Sequence, residues 1–250
     1  GLVESMDDAV GVVLKRLKEL GIDDNTIIVF TSDNGGVASG DAFSTTNFPL
    51  RGGKGYQWEG GIREPFLITA PMLKNTPKSI DYPVSGIDFY PTLVDLVAAK
   101  KDPKQIIDGV SLVPLLKGKP LDTRSSFWHY PHYGNQGGDP VSIIRKEEYK
   151  LIHYWEDGHD ELYNLSADPG EKNDISKKEE VIAKSLRVEL DTYLKNMNAK
   201  IPEVYAGYDP AKAAKKQKER RTKMLQRLEK QRKNFLSKDF DPKNNWYDSS

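Results

Sequence analysis

The chain has 250 residues, 37% of them hydrophobic and 30% charged, which allows a sizeable core beneath a strongly polar surface. No apolar run approaches the ~20 residues that span a bilayer, and the absence of cysteine excludes a disulfide framework or a thiolate metal site within the chain. Net charge is zero but unevenly spread: 211–238 carries twelve Lys and Arg against two Glu, leaving 25 basic and 35 acidic residues elsewhere.

Taken in order, Met6, Val10, Val13, Leu14 and Leu17 recur at helical spacing, with Gly21 as a stop, and predict an amphipathic helix packed on a sheet. The unbroken run Ile27-Ile28-Val29-Phe30 is short, apolar and rich in β-branched residues, as expected of a parallel strand buried on both faces. Thr31-Ser32-Asp33-Asn34-Gly35-Gly36 follows at once, placing two oxygen-bearing side chains where ligands gather at the ends of parallel strands. Taken alone, Asp-Asn-Gly-Gly reads equally as a plain turn. The segment 37–47 is small, polar and aperiodic, a loop expected to bring the glycine-rich Leu50-Arg51-Gly52-Gly53-Lys54-Gly55 back toward Asp33. Glu59-Gly60-Gly61-Ile62-Arg63-Glu64-Pro65 comes next, with Glu59 and Arg63 expected to pair as a brace.

Phe66–Ala70 is a second short strand, and Asp88–Ala99 a helix with Phe89, Leu93, Leu96 and Val97 as its stripe. Beyond Leu121 the pattern changes. Short strands are expected around Ser125–Trp128, Val141–Arg145, Tyr149–Tyr154 and Glu161–Asn164, forming a small antiparallel sheet. Val181, Ile182, Leu186, Leu190 and Leu194 define the helix that covers it. A linker at 202–210 leads to a basic tail helix. Its thin apolar line, Met224, Leu225, Leu228 and Phe235, is expected to dock on the acidic body.

The succession TSDNGG, LRGGKG and EGGIREP, continued by VSGIDFYPTL, DGVSL, RKEEYKLI, ELYNL and DPGE, resembles the sulfatase family, the arylsulfatase-like branch of the alkaline phosphatase superfamily. The resemblance covers roughly the first two hundred residues. It implies an α/β fold: part of a mostly parallel sheet sandwiched by helices over 1–120, a small α+β subdomain over 121–201, and a linker with a basic helical tail over 202–250. The family's nucleophile is a formylglycine made within a Cys/Ser-x-Pro-x-Arg signature, and no such sequence occurs here. The expectation is therefore the carboxyl-terminal half of a sulfatase, with the nucleophile in a missing amino-terminal half that would act as its partner.

By the same resemblance, Asp33 and Asn34 are ligands of calcium, or of magnesium in its place, both being hard oxygen donors. Lys54 is the catalytic cation at the sulfate or leaving-group oxygen, and Arg51 is expected as a substrate-binding residue, with holding Asp33, the loop or a neighbouring acid as the alternative. His129 and His132 lie in Phe127-Trp128-His129-Tyr130-Pro131-His132-Tyr133-Gly134, where aromatic faces beside hydrogen-bonding groups suit sugar rings; a satisfied structural role fits them as well. The implied substrate is a sulfated saccharide or aryl sulfate, with no nucleic acid and no membrane span, in a periplasmic, secreted or lysosomal-type setting. This chain alone is expected to be inactive. The alternatives are a phosphoesterase of the same superfamily and a non-catalytic module that binds sulfated polymers through its tail.

Overall fold

A computed structural model of the chain describes residues 1–37, 45–73, 76–77, 79–100, 102–134, 137–203, 207 and 209–241. It divides into two compact units, Gly1–Thr31 with Phe66–Thr123, and Ser32–Pro65 with Arg124–Ser250.

In the first unit, α1 (Leu2–Glu19) has Glu4 in its first turn and Arg16 and Lys18 in its last, complementing the helix dipole. Gly21 adopts φ 65°, and Gly21 N and Ile22 N donate to Lys18 O and Leu17 O at 3.0 and 3.2 Å, which is a Schellman ending. Its apolar stripe stays on the surface, with Met6, Val13 and Leu14 exposed. The expected packing on a sheet is not found among the described residues, because periodicity says which face a helix would bury and not what covers it. Gly11 sits mid-helix with no atom within 4 Å of where a Cβ would lie. Gly11→Ala is therefore expected to stabilise the helix by about 0.5–1 kcal/mol, read as a raised melting temperature; a lowered one would contradict this.

β1 (Ile28–Thr31) pairs with β2 (Phe66–Thr69) in antiparallel register, Ile28 opposite Thr69 and Thr31 opposite Phe66. The described sheets are antiparallel throughout, which corrects the expected mostly parallel sheet. The reason is physical: a four-residue apolar run reports burial, whereas strand direction is set by the partner it meets. α3 (Phe89–Leu96) and α4 (Val113–Leu116) are tied by Asp88, which is fully buried. Its carboxylate accepts from Ser85 N at 2.8 Å and Val110 N at 2.9 Å, so the VSGID and DGVSL segments meet at one side chain.

The second unit holds the expected small antiparallel sheet, in the order β3 (Ser125–Tyr130), β4 (Val141–Lys146), β5 (Tyr149–Tyr154) and β6 (Asp160–Asn164). One face packs Ile144, Leu151 and Leu162 against Ala183, Leu186, Leu190 and Leu194 of α5 (Glu180–Asn196). The other carries Val141, Ile143, Ile152 and Tyr163 against Trp128 and Trp58. Trp58 belongs to the glycine-rich segment and directly precedes α2 (Glu59–Ile62), so this face is the platform on which that segment rests. α6 (Pro210–Phe235) is capped by Asp209, which accepts from Lys212 N at 3.0 Å. Met224, Leu225 and Leu228 are half-buried and Phe235 is exposed, but α6 has no extensive packing against another described element, so the expected docking is not found.

Candidate functional site

The turn after β1 and the glycine-rich segment are sewn together through their backbones. Gly35 N donates to Gly61 O at 3.1 Å, and Lys54 N to Gly36 O at 3.1 Å. Asn47 completes the seam: its Oδ1 accepts from Gly36 N at 3.2 Å, and its Nδ2 donates to Gly36 O and Gly52 O, both at 3.0 Å. The contact is too close for side chains. A Cβ on Gly35 would stand 1.8 Å from Gly60 O, and one on Gly61 2.2 Å from Tyr56 O. The seam ties the turn that follows Asp33 and Asn34 to the backbone of Lys54. Residues 38–44 of the loop expected over the site lie outside the described residues, as do Asn135 and Gln136.

The segment is braced from below by a buried ion cluster. Lys150 of β5 is fully buried, its Nζ 3.1 Å from Glu59 Oε1 and 2.8 Å from Glu171 Oε1. Arg145 approaches Glu59 at 3.8 Å, and Glu171 Oε2 accepts from Glu59 N at 2.6 Å. Burial holds the Glu171 carboxyl above the usual range, against the opposing pull of the Lys150 ammonium. Glu59 is therefore paired with Lys150 and Arg145, not with Arg63 as expected. Arg51 lies 3.7 Å from the ring centroid of Trp58 and donates to Tyr163 OH at 3.1 Å and Glu171 O at 2.8 Å. Its guanidinium is thereby committed to fastening the loop to β6. Lys54 is half-buried and makes no ion pair among the described residues.

Sequence reasoning gave Glu64 no role. Its Oε1 is buried without a hydrogen-bond partner, and its carboxyl is held above the usual range, first by burial and then by the negative charge of Asp33. The signal was present in EGGIREP, but a carboxylate in a motif does not announce which acid it faces. Calcium takes six to eight oxygen ligands. The described residues contain no group of three or more His, Asp or Glu able to hold a metal, and the Asn34 amide is turned so that Nδ2 donates to Gly35 O at 3.1 Å. This donor set does not fit calcium or magnesium, so the expected cofactor is corrected and no step is drawn through it.

His129 spends both ring nitrogens on the protein. Nδ1 meets Ser142 Oγ at 2.7 Å and Nε2 meets Lys200 O at 3.0 Å, while Ser142 Oγ also accepts from Trp155 Nε1 at 2.8 Å. A carbonyl can only accept, so Nε2 carries the proton and Nδ1 accepts from the serine. His132 is exposed and edge-on to Tyr130, with ring centroids 5.5 Å apart. Trp58, Asp139, Tyr154, Glu156, Asp157, His159 and Glu161 line a cleft of about 250 Å³. Burial raises the Asp139 carboxyl. Such an acidic wall repels a sulfate.

Comparison with known proteins places these features in a family. The sulfatase family model matches residues 1–99, and the model described as N-sulphoglucosamine sulphohydrolase, C-terminal, matches residues 53–200. A sulfatase of Formosa agariphila is 38% identical over 193 residues, covering 69% of this chain and 34% of that protein. The chain thus spans about a third of that relative's length. The crystal structure of Ps i-CgsB superposes with a TM-score of 0.64 at 31% identity, over 77% of this chain and 42% of that one. The structure of BT4656 in complex with D-glucosamine-2-N,6-O-disulfate does so at 0.57 and 29%, over 78% and 38%.

The match of the sulfatase family model over residues 1–99 corrects the expectation of a carboxyl-terminal half whose amino-terminal partner is missing. That expectation rested on an absent signature, and the absence of one motif does not locate a boundary. The expectation of formylglycine in such a missing half falls with it, and the chain itself holds no cysteine from which to make one.

Proposed function

Because the chain belongs to the sulfatase-type family described as N-sulphoglucosamine sulphohydrolase, C-terminal, we propose that it binds sulfated saccharides at Lys54 and serves the hydrolysis of their sulfate esters. The supporting observation is the seam that ties the backbone of Lys54 to the turn after Asp33 and Asn34, while its ammonium makes no ion pair among the described residues. A compact ammonium on a flexible stem suits an oxygen whose charge grows as the ester bond breaks. Glu64 faces Asp33, and burial together with that negative charge holds its carboxyl above the usual range, which favours the acid form over that of an ordinary carboxyl. The relatives' printed ligands, a neocarrahexaose and a glucosamine disulfate, are the class this reading transfers to the chain.

The test is calorimetric titration of the full chain with D-glucosamine 6-sulfate. Lys54→Ala is expected to weaken binding about ten- to a hundredfold, the worth of one charge-assisted hydrogen bond. Affinity is expected to rise as pH falls, because Glu64 gains its proton earlier than an ordinary carboxyl and a repelling charge disappears. The chain alone, having neither cysteine nor Ser-x-Pro-x-Arg, is expected to leave an aryl sulfate uncleaved. Unchanged affinity in Lys54→Ala would overturn the reading, and tighter binding of glucosamine 6-phosphate would replace it with the phosphoesterase alternative.

A further inference from the structure

α6 carries eleven Lys and Arg against two Glu within Pro210–Phe235. Five of these eleven cations line up. Lys212, Lys216, Lys223, Arg227 and Lys230 follow steps of three, four and seven residues, which keeps them on one side of a helix at 3.6 residues per turn. The stripe runs for roughly 27 Å at 1.5 Å per residue. All five side chains are exposed. Lys212 makes a loose 3.5 Å contact with Asp209, and no ion pair engages Lys216, Lys223, Arg227 or Lys230 among the described residues. Glu229 does not neutralise the stripe, because it is taken by Arg232 at 2.8 Å and by Lys233 at 3.9 Å. Glu219, the other carboxylate, makes no ion pair among the described residues.

A line of exposed cations this long repels itself and gains most from an extended polyanion laid along it. We propose that the Lys212–Lys230 stripe of α6 is a docking surface for the sulfated carbohydrate chain whose ester groups the Lys54 site receives; the choice of carbohydrate rests on that functional reading, and the stripe itself does not. Three features favour a sulfated polymer over other polyanions. The stripe is built chiefly from lysines, point charges suited to single sulfate groups, with one arginine for bidentate recognition. No aromatic residue lies between its members, so it has no platform on which a nucleobase could stack. The amino-terminal half of α6 has no large apolar side chain opposite the charges before Met224, so that half cannot enter a lipid surface.

The experiment measures binding of the full chain to a fluorescent heparin oligosaccharide between ~50 and ~200 mM salt, where charge-driven binding changes most steeply. Neutralising the stripe in K212Q/K216Q/K223Q/R227Q/K230Q is expected to weaken binding by at least about tenfold and to flatten its salt dependence. The control K172Q/K177Q/K178Q/K195Q/K200Q removes the same charge from exposed lysines of the body and is expected to bind heparin as the unaltered chain does. Equal losses in the two variants, or no binding of heparin by the unaltered chain, would overturn the proposal. Tighter binding of single-stranded DNA or of phosphatidylserine vesicles than of heparin would also overturn it, in favour of a nucleic acid or a membrane. Lys54→Ala separates the two readings: it should weaken glucosamine 6-sulfate binding about ten- to a hundredfold while sparing heparin, whereas the stripe variant should do the reverse.

Discussion

Replacing Lys150 by methionine is expected to destabilise the chain by about 3–5 kcal/mol, because it strands two buried carboxylates without their cation. Lys150 and Glu171 are fully buried and Glu59 is 1% exposed, so water cannot take the place of the ammonium. The loss should be read as a drop in melting temperature of roughly 10 °C and as faster hydrogen exchange at the Gly52–Gly61 amides, which the cluster supports through Glu59 N. The deficit should depend on pH. Glu171 already binds its proton more tightly in the native chain than when unfolded, so its contribution is present at low pH and is lost as pH rises through the native value. Without Lys150 that native value moves higher still. The variant should therefore be most handicapped near pH 8 and recover part of its stability near pH 5. A deficit equal at both values would mean that the penalty comes from packing and not from uncompensated charge.

Gly35→Ala should damage the candidate site more than any other small substitution in the seam. The new methyl would stand 1.8 Å from Gly60 O, a backbone atom that cannot rotate away, so the turn and the glycine-rich segment must separate. Overpacking of this kind costs about 1–3 kcal/mol or more, and here it also breaks the Gly35 N to Gly61 O bond. Affinity for glucosamine 6-sulfate should fall with it, since Lys54 hangs from the same seam. The neighbouring Gly36→Ala should be milder, because its closest atom, at 2.8 Å, is Oδ1 of the movable Asn47 side chain. Gly86→Ala, with nothing within 4 Å, should be nearly silent. Stability and binding in Gly35→Ala equal to those in Gly86→Ala would show that the seam does not hold the site.

Much of the second unit was legible in the sequence. The stripe of Leu186, Leu190 and Leu194 lies on one face of α5 because helical periodicity is a property of the segment itself, and the short strands of the sheet carry their own turn and β-branched signals. The same holds for the TSDNGG turn, where paired glycines announce a close backbone approach without saying what approaches.

What the sequence by itself determined, then, was each segment's state and its chemical content: helices by period, turns by glycine, the division of charge between body and tail, and the motifs that place the chain among sulfatases. Tertiary structure alone decided the partners. β1 runs antiparallel to β2 because an apolar tetrapeptide carries no information about direction. Glu59 turned from the nearby Arg63 to Lys150, 91 residues away, and Arg51 reached Tyr163 across 112. His129, in an aromatic stretch that suited a sugar, is consumed by Ser142 and by a backbone carbonyl 71 residues distant. The physical reason is common to all of these. Local pattern follows from steric and hydrophobic preferences within a few turns of chain, whereas an ion or a hydrogen-bonding group is satisfied by whatever the closed fold brings within about 3 Å of it.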